Sequence, residues 1–177
     1  MSKISVLTGE VINGLPYDYI RINNETFKAI KVMFLEADID VVISEHLAKE
    51  EYSGKINVTG YLASYVSKGD KPQFFFFANN IEDADEDAPL TNKVTFYSRV
   101  TKVSSFKTSS RGLDILPLVL ADYNPHKMTS VLYACLRGKH AREYKDKEKG
   151  YYISGEGYLK RYRDIYEIIV TDIFEEE

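Results

Sequence analysis

The stretch from Gly150 to Tyr162, Gly-Tyr-Tyr-Ile-Ser-Gly-Glu-Gly-Tyr-Leu-Lys-Arg-Tyr, constrains this chain more than any other. Side chains on a strand alternate between two faces. Here Ile153, Gly155, Gly157 and Leu159 share one face, and Tyr152, Tyr158, Lys160 and Tyr162 share the other. Two glycines on a packed face let a neighbouring backbone come close, so the strand belongs to a strongly curved sheet. The opposite row of rings and a cation is too polar to be core. The pattern occurs earlier too, from Gly54 to Tyr65, and Gly-Tyr-Leu-x-x-Tyr stands at both places. One structural unit used twice is the economical reading.

The rest of the chain can be read around these two strands. Residues 3–12 predict a strand with Ile4, Gly9 and Val11 toward its packed side, and Asn13-Gly14-Leu15-Pro16 predicts a turn. Alternating apolar residues from Phe27 to Phe34 and the β-branched run from Ile39 to Ile43 predict two more strands. Ser44 to Ala48 suits a single helical turn with Ser44 at its N-cap. Ser67 to Pro72 reads as a hairpin loop, and Gln73 to Ala78, with four consecutive Phe, as a strand buried on both faces. The acidic run Glu82 to Pro89 separates the halves. The order then repeats: strands at Asn92–Thr101, Leu113–Tyr123 and Ser130–Arg137, a short helix at Gly138–Tyr144, the Gly150–Tyr162 strand, and a last strand at Ile165–Phe174. Five strands with a short helix after the third describe a small Greek-key barrel, the OB-fold. The expected architecture is therefore mainly β, two tandem OB-fold barrels each with a short helix. Residues 1–82 form the first barrel, 83–91 an acidic linker and 92–177 the second barrel.

Charge separates the halves. Residues 1–90 hold 8 Lys and Arg against 15 Asp and Glu, a net −7; residues 91–177 hold 15 against 12, a net +3. The second half suits a polyanion and the first does not. With 14 Tyr, 9 Phe and no Trp, the rings that could meet solvent are tyrosines, whose hydroxyl tolerates water. The one cysteine, Cys135, sits in an apolar run and fits a buried small hydrophobe in a reducing cytosol. No apolar run approaches the roughly 20 residues that span a membrane. His46, His126 and His140 pair with no Cys or His at metal spacing, and no phosphate-binding glycine motif stands in its proper context. No catalytic residue, metal or cofactor is expected.

The ordered set Asn92-Lys93-Val94, Ser98-Arg99-Val100-Thr101-Lys102, Leu118 to Ala121, Leu136 to Ala141, Lys149-Gly150, Gly157 to Tyr162 and Tyr166-Glu167-Ile168 resembles bacterial-type single-stranded DNA-binding proteins. Its first two segments are similar to that family's opening strand, which usually has Gly in place of Ser98. Leu118 to Ala121 is similar to its second strand. Leu136-Arg137-Gly138-Lys139-His140-Ala141 is similar to the segment entering its helix. Lys149-Gly150, Gly157 to Tyr162 and Tyr166-Glu167-Ile168 match its later motifs. The first half is similar only as a degenerate copy. Val131 and Arg137 stand where the family often places Trp or Phe, which implies either weaker stacking or stacking shifted to tyrosines. Nothing after Phe174 matches the family's long tail ending in Pro-Phe, so recruitment through such a tail does not carry over. The resemblance implies an OB-fold binder of single strands without catalysis, acting in replication, recombination or repair in the cytoplasm, in association with the nucleoid. Because the family combines four barrels, two per chain imply a homodimer. Replication or recombination proteins are possible partners; a membrane is not.

Binding without sequence preference needs rings for bases and cations for phosphates. Strand parity places Thr95, Tyr97 and Arg99 on one face, with Tyr133 and Arg137 sharing a face two strands on. Adding Tyr123, Tyr158, Lys160 and Tyr162 predicts a single face of rings and cations. Lys102, Lys107, Arg111, Lys139, Arg161 and Arg163 are the candidate phosphate contacts. Lys145, Lys147 and Lys149 alternate with Asp146 and Glu148 and read as a solvated loop. Two other readings stay open: a protein-interaction adaptor with weak DNA binding, and an RNA-binding protein.

Overall fold

The computed structural model describes residues 3–66 and 71–174. The first five strands are β1 (Ser5–Ile22), β2 (Glu25–Phe34), β3 (Ala37–Ser44), β4 (Lys55–Tyr65) and β5 (Gln73–Asp83). They close into a barrel in the order β1-β2-β3-β5-β4, with β3 and β5 parallel. Then follow β6 (Val94–Val103), the two-residue β7 (Lys107–Thr108), β8 (Asp114–Tyr123), β9 (Thr129–Arg137), α1 (Lys139–Tyr144), β10 (Tyr152–Tyr162) and β11 (Ile165–Phe174). Followed around the barrel, the second set runs β6-β8-β9-β11-β10 and back to β6, again with the third and fifth strands parallel. The cyclic order is the same in both halves. The fold is two tandem OB barrels.

Two compact units result. One comprises Ile4–Ala63 and Phe74–Lys93; the other comprises Met1–Lys3, Ser64–Gln73 and Val94–Glu177. Within the first unit, Lys55 Nζ donates to the carbonyls of Glu86 and Ala88 (2.7 and 2.8 Å), and Thr91 N donates to Thr8 O (3.0 Å). The acidic segment expected as a linker is thus fastened to the first barrel. In the second barrel the alternation expected from sequence holds. Leu116, Leu118 and Leu120 of β8 point inward with Val94, Phe96, Leu132, Leu136, Ile153, Leu159 and Ile168, all buried. Phe74 to Phe77 are all buried, on both faces of β5.

The repeated glycine has a common physical cause. Gly60 is paired with Ser5 of β1, and Gly157 with Val94 of β6, each at the end of its ladder with the barrel's first strand. There the strand swings toward the fifth. A Cβ on Gly60 would stand 1.7 Å from Phe77 O, and one on Gly157 2.2 Å from Ile169 O. Only a residue without a side chain admits that approach. The following tyrosines diverge, however. Tyr61 is 2% exposed and tilts against Phe77 at 5.3 Å, whereas Tyr158 is half-buried on the outer face.

Several local expectations are corrected. Gly9 is buried as expected, together with Ser5 and Leu7, but Ile4 lies on the opposite face of β1 and is 60% exposed, and Val11 is only half-buried. Asn13 to Pro16 makes no turn. β1 continues through it with register shifts, held by Val11 N donating to Gly54 O and Tyr52 N to Gly14 O (both 2.9 Å). Ser44 caps no helix: its hydroxyl donates to Glu25 Oε1 instead, and residues 45–47 form only a turn. Among the described residues α1 is the one helix. The first barrel's hairpin loop falls largely outside the described residues.

Candidate functional site

The outer face of β6, β8 and β9, joined by the start of β10, gathers the strongest constellation. On β6, Tyr97 and Arg99 face outward between buried Phe96, Ser98 and Val100. The β6–β10 register sets Arg99 opposite Tyr152 and Tyr97 opposite Ser154, which brings the rings of Tyr97 and Tyr152 together diagonally. They stack with centroids 5.5 Å apart and planes 21° apart, and Tyr152 is 49% exposed. Lys3, in the same unit, holds its Nζ 5.8 Å from the Tyr97 centroid. Across the barrel wall Arg99 pairs with Ala121 and Lys102 with Val119, which pairs in turn with Tyr133. Tyr123, 57% exposed, ends β8 at a turn in which Asn124 Oδ1 accepts from His126 N and Met128 N (3.0 and 3.3 Å). Small Ala121 and Val119 leave the rings and cations standing above the sheet. No salt bridge joins Arg99 or Lys102 to a carboxylate among the described residues.

Other expected site residues lie elsewhere. Tyr158 follows Tyr152 by six residues, roughly 20 Å along β10. It stands opposite Ile169, with Lys160 opposite Glu167 and Tyr162 opposite Ile165, in the part of β10 that pairs with β11. At the hairpin tip the Arg161 guanidinium lies 5.6 Å from the Tyr166 ring and its Nε donates to Arg163 O (2.9 Å). Arg163, with φ 56°, lies 5.5 Å from the Tyr162 ring. The single face expected from parity is therefore two patches, the sheet face and this hairpin. Arg137 stands half-buried opposite Ile115, its guanidinium beside the Cys135 thiol. Burial pushes that thiol's pKa up, and Cys135 is 4% exposed.

A third group surrounds Asp114. Its carboxylate accepts from Arg142 Nη1 (2.7 Å) and Thr108 Oγ1 (2.8 Å), and these two bonds hold its pKa below the usual range. Gly138 N donates to Asp114 O (2.9 Å), so one residue ties β7, β8 and α1 together. Lys107 and Arg111 are exposed on and after β7, and Lys139, also exposed, pairs with Glu143 at 3.6 Å.

The sequence reading missed two features. Tyr152, outward by parity but outside the expected set of site residues, completes the stacked pair. The loop 145–149 is exposed as expected, but it also forms one wall of a groove of about 800 Å³ whose other wall is 101–106. Lys145 Nζ lies 5.2 Å from the Phe106 centroid across it. Lys147 Nζ lies 4.3 Å from Tyr151 and 5.4 Å from Tyr144, contacts of about 0.5–1 kcal/mol each at exposed sites. Tyr151, its hydroxyl buried with no hydrogen-bond partner among the described residues, has its pKa pushed up to about 12 by burial and then by Tyr144. Phe106 and the lysine loop lie far apart in sequence, so only the folded chain shows the groove.

The first barrel differs in charge. Lys28 pairs with Asp18 (3.4 Å) and Lys31 with Asp40 (3.2 Å), while Tyr17 OH donates to Asp40 Oδ1 (2.6 Å). The two lysines of β2 are thus neutralised by carboxylates of neighbouring strands. Among the described residues no group of three or more His, Cys, Asp or Glu is placed to hold a metal ion, and no helix is long and apolar enough to cross a membrane.

No protein-family model and no curated protein sequence matches the chain. Among solved structures the chain is similar to the single-stranded DNA binding protein from Thermus aquaticus. A deletion mutant of that protein matches with a TM-score of 0.78 at 15% identity, covering 99% of this chain and 95% of that one. The wild-type protein matches with a TM-score of 0.76 at 15% identity, covering 99% and 94%. The likeness is one of fold. It spans both barrels, including the half whose sequence resembles the family least.

Proposed function

We propose that this chain binds single-stranded DNA, largely without sequence preference, and shields it during replication, recombination or repair. The observation that carries the reading is the stacked Tyr97–Tyr152 pair on the sheet face of the second barrel with Arg99 and Lys102 beside it, both exposed and joined by no salt bridge to a carboxylate among the described residues. A single strand offers a π-face on each base and a charge on each phosphate, and this face presents partners for both. Tyr123 and Tyr133 extend the platform. Lys107, Arg111, Arg137 and Lys139 are further phosphate contacts in this reading, and Tyr158, Lys160, Arg161, Tyr162 and Arg163 form a second patch that a longer strand would reach. The fold shared with a protein named for single-stranded DNA binding supports the same reading.

The role is passive, needing no catalytic group, metal or cofactor. The setting is the cytoplasm, in association with the nucleoid. A homodimer would bring four barrels together. The paired lysines of the first barrel favour its use in assembly, or in docking replication or recombination proteins, over contact with phosphate. On that division residues 92–177 bind and residues 1–82 support.

The test is an anisotropy titration of labelled oligo-dT at two salt concentrations, with duplex DNA and an RNA oligonucleotide as competitors and tyrosine fluorescence recorded throughout. Tight, salt-weakened, quenching binding that duplex fails to displace is expected. Displacement by RNA at lower concentration than DNA would overturn the DNA assignment. Weak binding, equal for duplex, would favour the adaptor reading.

A further inference from the structure

We infer that the groove between residues 101–106 and 145–149 is where the bound single strand leaves the ring platform, with its phosphates on Lys102, Lys145 and Lys149 and one base on Phe106. The inference rests on the proposed function and adds a subsite beyond the sheet face.

Continuity is the first argument. β6 runs from Tyr97 through Arg99 to Lys102, about 10 Å beyond Arg99. Beside it, Val100 N donates to Tyr151 O (2.8 Å) and Gly150 N to Val100 O (2.7 Å). The chain from Tyr152 back to Lys149 is therefore held alongside. Both strands that carry the stacked tyrosines end as walls of the groove. A strand lying on the platform and continuing in that direction enters it.

Chemistry is the second. Apart from Lys147, which sits on two tyrosine rings, the groove is lined by three lysines, Lys102, Lys145 and Lys149, against Asp146 and Glu148, an excess of cations in an otherwise acidic chain. Its volume of about 800 Å³ lies within the about 300–1,000 Å³ typical of small-molecule sites. Phe106 is half-buried, with Lys145 Nζ over its ring. An arriving nucleotide satisfies both partners at once: the base takes the ring face and the lysine moves to the phosphate. Lys147 is different, since Tyr144 and Tyr151 both hold it. It serves as the control, a lysine of the same loop with a structural role.

The experiment measures oligo-dT affinity of the full chain over a salt series, for wild type, the double variant Lys145→Gln with Lys149→Gln, Phe106→Leu and Lys147→Gln, each first shown to be folded by circular dichroism. Each lost phosphate contact lowers the salt slope by about 0.7, so the double variant should lose roughly 1.4. Phe106→Leu should weaken binding several-fold with the slope unchanged, and Lys147→Gln should leave the slope at the wild-type value. A double variant with the wild-type slope, in a protein that still binds oligo-dT tightly, overturns the groove assignment alone. Wild-type protein that fails to bind oligo-dT overturns the proposed function and this inference with it.

Discussion

Replacing Tyr152 by alanine separates the ring platform's role in binding from its role in stability. In the free protein this ring is 49% exposed and stacked on Tyr97 at 5.5 Å. Half the apolar transfer of a large side chain is about 1 kcal/mol, and an aromatic pair adds about 0.5–1.5 kcal/mol. The stability loss is therefore about 2 kcal/mol, roughly 4–8 °C in Tm for a chain of this size. The binding loss is of another kind. Alanine removes a base-stacking face worth about 1–3 kcal/mol, which is roughly 5- to 150-fold in Kd. Because the ring carries no charge, the slope of log K against log salt should not move. The assay is anisotropy with oligo-dT at three or more salt concentrations, well below the variant's Tm, with tyrosine quenching read in parallel. We expect weaker binding, reduced quenching and an unchanged slope. A Kd within twofold of wild type in a folded variant would refute the claim that this pair stacks on bases. A changed slope would show that the loss acts through a displaced cation instead.

Other outcomes follow from the packing and the ionisable groups. Gly157→Ala should destabilise the chain by at least the about 1–3 kcal/mol of overpacking, since its Cβ would meet Ile169 O at 2.2 Å and Val170 Cα at 3.0 Å. Gly112→Ala, with φ +80° and open space, should cost only the about 1–2 kcal/mol of left-handed backbone. Urea midpoints compare the two. Tyr151, near its ordinary pKa of about 10 when unfolded and about 12 when folded, retains its proton better in the native state. Its contribution is present below pH about 10 and is lost as pH rises toward 12. Stability should therefore fall over that window, less steeply in Tyr151→Phe. Cys135, buried and with its pKa raised, should react with a thiol reagent only after denaturant is added; rapid native reaction would contradict its placement.

How much was legible in the sequence depends on the distance over which each feature is encoded. Gly60 and Gly157 could be read because the packed-side glycine recurs in the same motif, and the requirement recurs with it. Leu116, Leu118 and Leu120 could be assigned inward because strand alternation is a property of consecutive residues. Ile4 was misplaced because its neighbour Ser5 is small and polar, so the packed parity at the start of β1 leaves no apolar mark beside it. Ser44 looked like a cap because it precedes a short polar run. The Glu25 carboxylate that takes its hydroxyl comes from another strand and leaves no mark near it.

The candidate site follows the same rule. That Tyr97, Arg99 and Tyr133 face outward was local information. That Tyr152 reaches Tyr97, while Tyr158 and Tyr162 lie away on the β10–β11 hairpin, depended on register between strands distant in sequence. The groove of Phe106 and Lys145 depended on two loops that meet only once the barrel closes. By itself, then, the sequence determined two β-barrels of one plan, their charge contrast and the outward tyrosines, because periodicity, glycine and net charge act over a few residues. Tertiary structure alone decided which rings touch, which lysines are neutralised and where a groove opens, because each of those depends on strand register and closure.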